Sequence, residues 1–252
     1  MFTTTLPYRV GIVKNEMRTA LNFLPGLSVV IPALNAAQTL PGVLAALGSA
    51  PAEIVLVDGG STDATRAIAA AAGSVRVLAA SRGRGGQIAA GTRVAAGPWL
   101  LLLHADTILA EGWVEAVRAC MASPDGPARA WYFRLALDDH AAAARRLERA
   151  VAWRCRVLGL PYGDQALLIH ADLLDVVGGV RELPLMEDVD LVSRLGRHRL
   201  GALDVPALTS AARWRREGYL ARSARNLLCL GLWFAGVPPR ILTRIYRGRS
   251  QG

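Results

Sequence analysis

Acidic side chains stand at the carboxyl ends of two apolar, strand-like segments of the chain. Residues 54–57 form a short apolar run that ends at Asp58, and two glycines follow it. Residues 99–103 form the most hydrophobic of these runs and lead into His104 and Asp106. Such runs are typical of strands that a parallel sheet buries on both faces. Because parallel sheets bind ligands beyond the carboxyl ends of their strands, we expect Asp58 and Asp106 to face a ligand.

Two other segments carry groups that suit proton transfer and anion binding. Glu187 and Asp188 are adjacent at the start of a predicted helix, and a carboxylate is a common general base. Arg82 and Arg84 lie among three glycines directly before another predicted helix, and helix N-termini bind anions. For Glu187 and Asp188, the alternative is that the two acids only favour the helix dipole. For Arg82 and Arg84, the alternative is a solvated basic loop.

The elements that must position these groups alternate along the chain. Four strand-like runs come first, at residues 27–31, 53–57, 75–79 and 99–103. Alanine-rich helical segments separate them, at residues 39–47, 64–72 and 87–96. Further strands are predicted at residues 128–137 and 166–170, and further helices at 141–158, 172–177 and 188–195. The pattern predicts an α/β fold with a mostly parallel central sheet flanked by helices.

The ordered set of motifs resembles the family 2 glycosyltransferases, which have the nucleotide-diphospho-sugar transferase fold called GT-A. The resemblance covers roughly residues 27–214 and rests on five segments, at residues 27–35, 53–63, 99–107, 163–165 and 185–191. The motifs Leu-His-Ala-Asp-Thr, Gly-Asp-Gln and Leu-Met-Glu-Asp-Val-Asp-Leu, with Val-Pro-Pro at 237–239, are similar to one bacterial subgroup. That subgroup is described as radical-SAM/selenodomain-associated and is tied to arsenosugar synthesis.

The resemblance implies a hexosyltransferase-type enzyme that moves a sugar from a nucleoside-diphosphate-sugar donor to a hydroxyl, with inversion. It implies these donor-binding residues: Pro32, Ala33, Asn35, Asp58, Arg82, Arg84, Asp106, Arg213 and Trp214. Family members usually hold Mn²⁺ or Mg²⁺ on an Asp-x-Asp pair, and here His104 replaces the first acid. The implied metal ligands are therefore Asp106 and His104, with a hydrogen-bonded strand-end histidine as the alternative for His104.

The same resemblance assigns the acceptor side of the site. Asp188 matches the base that deprotonates the attacking hydroxyl, and Glu187 would orient it or contact the acceptor. Asp164 and Gln165 are assigned more loosely to the acceptor or sugar side, with a loop-capping role for Asp164 as the rival. An arsenosugar precursor, a carotenoid acid and a polyprenyl lipid all fit as acceptor.

Two other functions are alternatives to glycosyl transfer. A nucleotidyltransferase predicts a glycine-rich basic loop after the first strand, but residues 32–35 read Pro-Ala-Leu-Asn. A non-catalytic nucleotide-sugar-binding relic is permitted by His104 but disfavoured by the intact Asp58, Asp106 and Asp188.

Composition divides the chain of 252 residues into three predicted parts. Residues 1–25 are an extension that is either disordered or the product of a start codon upstream of Met17. Residues 26–212 are the catalytic domain, and residues 213–252 are a basic helical tail. Three widely spaced cysteines without metal-ligand spacing favour reduced thiols and a cytoplasmic protein. We expect no nucleic-acid partner.

The tail carries most of the net charge of +9, because it contains nine arginines and one acid, a net +8. Its apolar side chains are Leu227, Leu228, Leu230, Leu232, Trp233, Phe234, Ile241, Leu242 and Ile245. One hypothesis is reversible interfacial binding to the anionic inner face of the cell membrane. The alternative is that these apolar side chains dock the tail onto the catalytic domain.

Overall fold

The computed structural model describes residues 22–247 and contains one eight-stranded sheet flanked by helices. The strands are β1 (Leu24–Ala33), β2 (Pro51–Asp58), β3 (Val75–Ala79), β4 (Trp99–Leu102), β5 (Thr107–Leu109), β6 (Ala130–Leu137), β7 (Leu167–His170) and β8 (Leu200–Thr209). Most of the extension predicted at residues 1–25 lies outside the described residues. Its last two residues belong to β1, so the domain begins slightly earlier than predicted.

Ten helices are present among the described residues. They are α1 (Leu40–Leu47), α2 (Thr65–Ala71), α3 (Arg84–Val94), α4 (Trp113–Ala122), α5 (Ala142–Leu158), α6 (Ala171–Val176), α7 (Glu187–Leu195), α8 (Ala212–Glu217), α9 (Tyr219–Phe234) and α10 (Pro239–Arg247). Helix α3 begins three residues earlier than predicted. Arg84 therefore lies in its first turn rather than in the loop before it.

The sheet is mixed, in the order β3-β2-β1-β4-β7-β6-β8-β5. The first four strands are parallel, as the βαβ pattern predicted. Strand β7 is antiparallel to both of its neighbours, and β5 is antiparallel to β8. The sequence patterns did not predict β5 and β8, since β5 has three residues and β8 contains Pro206 and an exposed acid, Asp204.

Hydrophobic clusters cover both faces of the sheet. Alternate residues of β1 point to opposite faces, so Val30 packs in one cluster and Val29 and Ile31 pack in the other. Helix α3 lies close to the sheet at Gly91, where an added Cβ would come within 2.4 Å of Val30 Cγ1. This close approach carries Arg84, at the start of α3, toward the carboxyl ends of β1 and β2.

The tail helices α8, α9 and α10 pack on the domain, as the docking alternative predicted. Cys229 of α9 and Leu242 of α10 are fully buried in the cluster that α3 and α7 also join. Leu230 is buried as well, so Leu230 and Leu242 do not supply the membrane-facing area first assigned to them. Among residues 22–247, no helix is both long and apolar enough to cross a bilayer.

Candidate active site

Seven of the predicted site residues line one cavity of about 810 Å³ beyond the carboxyl end of β4. They are Arg84, His104, Asp106, Asp164, Asp188, Arg213 and Trp214. They come from α3, the turn after β4, the 3₁₀ turn before β7, and helices α7 and α8. Residues more than a hundred positions apart in the sequence thus meet in one polar cavity.

An ion cluster between the first turns of α3 and α7 forms one wall of this cavity. The Arg84 guanidinium donates a hydrogen bond to the Glu187 carboxylate, and its Nη2 lies 3.4 Å from Asp188 Oδ2. Glu187 is 2% exposed. Burial alone would lower the pKa of Arg84, but the charges of Glu187 and Asp188 outweigh it and raise that pKa. The cluster therefore keeps its arginine charged.

Asp188 also accepts hydrogen bonds from two backbone amides. Gly163 N donates to Oδ2 at 2.9 Å and Val189 N donates to Oδ1 at 2.8 Å. Although burial would raise the pKa of Asp188, Arg84 and these amides hold it below its usual value. A Cβ at position 163 would lie 2.6 Å from His104 Nε2, so glycine permits this approach. Asp188 is therefore ionised and able to accept a proton.

His104 and Asp106 follow β4 and face the same cavity. Burial, with Arg84 nearby, lowers the pKa of the His104 imidazole to about 3, so the ring is neutral at physiological pH. No described group donates to or accepts from its buried Nε2. Burial raises the pKa of Asp106, while the charge of Arg213 opposes that rise. A neutral imidazole nitrogen without a partner and a carboxylate both line the cavity, and both are kinds of group that bind metal ions.

The described residues do not assemble a complete metal cage, since no three His, Cys, Asp or Glu side chains converge as ligands. Mg²⁺ and Mn²⁺ sites in nucleotide-using enzymes commonly take one or two protein ligands and complete their coordination with water and phosphate oxygens. The unpartnered His104 Nε2 and the Asp106 carboxylate fit that kind of site.

Asp164 is the third acid in the cavity, and its Oδ1 is shielded from water without a described hydrogen-bond partner. Burial raises the pKa of Asp164 to about 6, against the opposing charge of Arg154. The raised value means that the folded protein binds a proton at Asp164 more tightly than the unfolded chain does. The contribution of Asp164 to the free energy of unfolding is therefore fully present below its ordinary pKa of 3.8 and is lost as pH rises through about 6.

We expect Asp164→Asn to stabilise the protein at neutral pH by on the order of 2 kcal/mol, because it removes a desolvated charge whose Oδ1 has no described hydrogen-bond partner. The gain should vanish below about pH 4, where the wild-type carboxyl is protonated as well. Urea unfolding at several pH values measures this difference, with Asp172→Asn as an exposed control. Equal pH dependence of the wild type and the Asp164 variant would refute the assignment.

The loops after β1 and β2, where the nucleotide was expected, lie beside the cavity and are tied to each other. Asn35 N donates to Ser61 Oγ at 2.9 Å, and Thr62 N donates to Asn35 Oδ1 at 2.9 Å. The Asp58 carboxylate is buried and accepts hydrogen bonds from the amides of Gly60 and Ser61. Asp58 thus fixes its own turn in this structure, and contact with a nucleobase stays a prediction.

Gln87 positions these two loops and was not predicted from the sequence. Its Nε2 donates to the carbonyls of Ala33 at 2.8 Å and Val57 at 2.7 Å, and the side chain is 4% exposed. It therefore joins the ends of β1 and β2. The sequence shows only a polar residue directly before the apolar face of α3. That pattern does not distinguish a buried glutamine that joins two strands from one that is solvated.

The main cavity is not lined by five other predicted residues, Pro32, Ala33, Arg82, Gln165 and Glu187. Pro32 lines an adjoining, mostly apolar pocket that also contacts His104 and Glu187. Arg82 is exposed on the loop before α3. Gln165 is 1% exposed, and its Nε2 donates to the Phe133 carbonyl at 3.0 Å. Gln165 therefore anchors the turn that carries Asp164 to strand β6. Its contact with an acceptor stays a prediction.

The tail contributes three cavity residues that the sequence did not indicate, Arg222, Asn226 and Tyr246. Arg222 Nη2 donates to the Tyr246 hydroxyl at 2.9 Å, and its Cζ lies 5.2 Å from the Trp214 ring centroid. Trp214 also stacks on Tyr219. The spacing of Arg222 and Asn226 by four residues places them on one face of α9, but nothing in the sequence shows that this face points inward.

Comparison with known proteins supports this description of the fold. A family model described as Glycosyl transferase family 2 matches residues 28–127. No curated protein sequence matches the chain. Among solved structures, S. aureus TarS 1-349 in complex with UDP-GlcNAc has a TM-score of 0.58 at 16% identity, over 87% of this chain and 70% of that one.

Two further solved structures are similar over most of their length. Glucosyl-3-phosphoglycerate synthase from Mycobacterium tuberculosis, in complex with Mn²⁺ and UDP-glucose, has a TM-score of 0.57 at 19% identity, over 94% of this chain and 86% of that one. Mannosyltransferase PcManGT from Pyrobaculum calidifontis, with GDP-mannose and Mn²⁺, has a TM-score of 0.57 at 15% identity, over 84% of this chain and 67% of that one. The described part of the chain has the GT-A fold, with a mixed sheet.

Proposed function

We propose that this protein is an inverting glycosyltransferase that moves a sugar, of the hexose type, from a nucleoside-diphosphate-sugar donor to a hydroxyl. The observation that carries the proposal is the cavity that joins an ionised carboxylate, Asp188, to two arginines, Arg84 and Arg213. Glycosyl transfer needs both parts, because a base must take the hydroxyl proton while positive charge stabilises the departing diphosphate. The match of residues 28–127 to the family model supports the same reaction class.

Arg84 links donor binding to the base in this proposal. In the structure its guanidinium is shared between Glu187 and Asp188. A diphosphate beside Arg84 would compete for that guanidinium and weaken its pair with Asp188. Because Arg84 is the main charge that lowers the pKa of Asp188, the carboxylate would then become a stronger base. Glu187 holds Arg84 at this position.

A divalent cation fits the same cavity, with Asp106 and His104 as its protein ligands. Mn²⁺ suits a nitrogen and oxygen pair, and the solved relatives with Mn²⁺ make it the first cation to test. When bound, the cation supplies positive charge next to the diphosphate. The chain's own residues bind the donor through Arg84 and Arg213 and remove the acceptor proton through Asp188.

The acceptor follows less directly from the cavity. The resemblance to the radical-SAM/selenodomain-associated subgroup favours an arsenosugar precursor, whereas a carotenoid acid or polyprenyl lipid requires access from a membrane. Asp164 and Tyr162 line the same cavity and would meet either acceptor. The donors bound by the solved relatives, UDP- and GDP-sugars, define the donor panel.

Donor binding with and without metal tests the proposal. We expect at least one UDP-, GDP- or dTDP-sugar to raise the thermal midpoint in the presence of Mn²⁺, since a ligand that binds the folded state stabilises it. Asp106→Ala should abolish the part of the shift that requires Mn²⁺. The Asp125→Ala variant, which changes an acid outside the cavity, should keep that part.

Equal donor binding by the wild type in Mn²⁺ and in chelator would remove the metal from the proposed mechanism. It would assign His104 to hydrogen bonding instead. Absence of any donor-induced shift across the panel would contradict the proposed reaction itself.

A further inference from the structure

We propose that the outward face of α9 is a docking surface for an anionic lipid bilayer. This outward face comprises Leu220, Ala221, Ala224, Leu227, Leu228, Gly231 and Phe234. These positions recur every three or four residues, so they form one stripe along the helix. The inference goes beyond the proposed reaction and does not depend on it.

The outward face of α9 is apolar, unlike that of an ordinary surface helix. Leu220 is 88% exposed, Leu227 63% and Phe234 59%. The two charged residues of the helix point the other way, since Arg222 is 7% exposed and Arg222 and Arg225 both bind Glu217. A surface helix normally places its charged residues outward and its leucines inward. An apolar stripe of this kind indicates a surface that another apolar phase covers.

The neighbouring helices surround this stripe with positive charge. Helix α10, which packs on α9, exposes Arg240, Ile241 and Arg244. Helix α5 also contacts α9, and near its carboxyl end it exposes Trp153, which is 55% exposed, together with Arg156. Exposed tryptophan and arginine beside leucine are typical of proteins that bind at a membrane interface.

Charge complementarity selects the bilayer over a second copy of this chain. Glu217 is the single acid from residue 213 to residue 252, and Arg222 and Arg225 already bind it. A symmetric dimer across this face would bring the arginines of two tails together without acids to pair them. Anionic headgroups over an apolar interior match both the arginines and the leucines.

The inner face of α9 lines the catalytic cavity through Arg222 and Asn226. The proposed bilayer and the cavity therefore lie on opposite sides of a single helix, about 10 Å across. Docking at this face would hold the cavity near the headgroups of the bilayer.

Vesicle binding by the full chain, without any donor, tests the inference. The probes are vesicles of phosphatidylglycerol mixed equally with phosphatidylcholine, and vesicles of phosphatidylcholine alone. We expect the wild type to sediment with the first and not the second at low salt, and high salt should weaken that binding. The double variant Leu220→Gln, Leu227→Gln should lower the partition coefficient about tenfold or more, because it removes the apolar area that enters the bilayer.

A second variant, Arg240→Gln with Arg244→Gln, should lower binding to the anionic vesicles and reduce its dependence on salt. Val176→Gln is the matched control, because Val176 is 75% exposed on α6, outside this surface, and its loss should change nothing. All these side chains are exposed, so thermal midpoints should stay near wild type. Wild-type protein that ignores anionic vesicles would overturn the proposal. A dimer in solution that Leu227→Gln dissociates would also overturn it, in favour of a second copy.

Discussion

Asp188→Asn should abolish glycosyl transfer while the protein keeps its fold and its donor affinity. A positioned general base contributes about a hundredfold to ten-thousandfold, so turnover should fall by about a thousandfold. Asparagine preserves the size of the side chain and can still accept a hydrogen bond from Gly163 or Val189, the two amides that hold Asp188. Arg84 keeps its contact with Glu187. The loss should therefore appear in turnover and leave donor affinity near wild type.

Turnover is measured as release of nucleoside diphosphate from the donor that binds. Asp172→Asn is the matched control, because Asp172 is an exposed acid in the first turn of another helix. That variant should turn over like wild type. An Asp188 variant within about tenfold of wild type, which is about 1.4 kcal/mol of barrier, would refute the assignment of the base.

Arg84→Met should be the most damaging single change to stability and should also weaken donor binding. It leaves Glu187 buried without its cation, and breaking a buried ion pair from one side costs about 3–5 kcal/mol. The Arg84 side chain is 38% exposed, so we expect the lower end of that range, about 3 kcal/mol. Donor affinity should fall about tenfold or more, since a charged contact to the diphosphate is lost.

Three further variants separate these effects. Arg82→Met removes an exposed arginine two residues away and should change stability by less than about 0.5 kcal/mol. Adding Glu187→Gln to Arg84→Met should recover part of the lost stability, because it removes the unpaired charge. Arg84→Lys should keep more of the donor affinity than Arg84→Met. An unfolding free energy of Arg84→Met within about 1 kcal/mol of wild type would show that the cluster is not a stabilising ion pair.

The parallel half of the fold could be predicted because local rules decide it. Strands β1 to β4 each contain a short, mostly apolar run, and each is separated from the next by one helix-length segment. Strands β5 and β8 could not be predicted in this way. Strand β5 has only three residues, and β8 depends on pairing with β6, far away in the sequence. Long-range pairing leaves little trace in local hydrophobic periodicity.

The candidate site shows the same division. Asp106, Asp188 and Arg84 were predicted because acids and glycines stand at the ends of strands and the starts of helices. Gln87 and Arg222 were missed because their roles depend on which elements pack above them. The inward orientation of Arg222 rests on its contacts with Glu217 and Tyr246. The contact with Tyr246 forms only when α9 and α10 pack together in the folded chain.

The configuration of the released sugar tests the proposed reaction most directly. Proton NMR of the wild-type protein with Mn²⁺ and its preferred donor follows the anomeric signal as nucleoside diphosphate is released to water or to an acceptor. The proposed mechanism predicts that the first sugar product has the anomeric configuration opposite to that of the donor, and that Asp188→Asn forms none. A product with retained configuration, or no nucleoside diphosphate release from any UDP-, GDP- or dTDP-sugar, would contradict it.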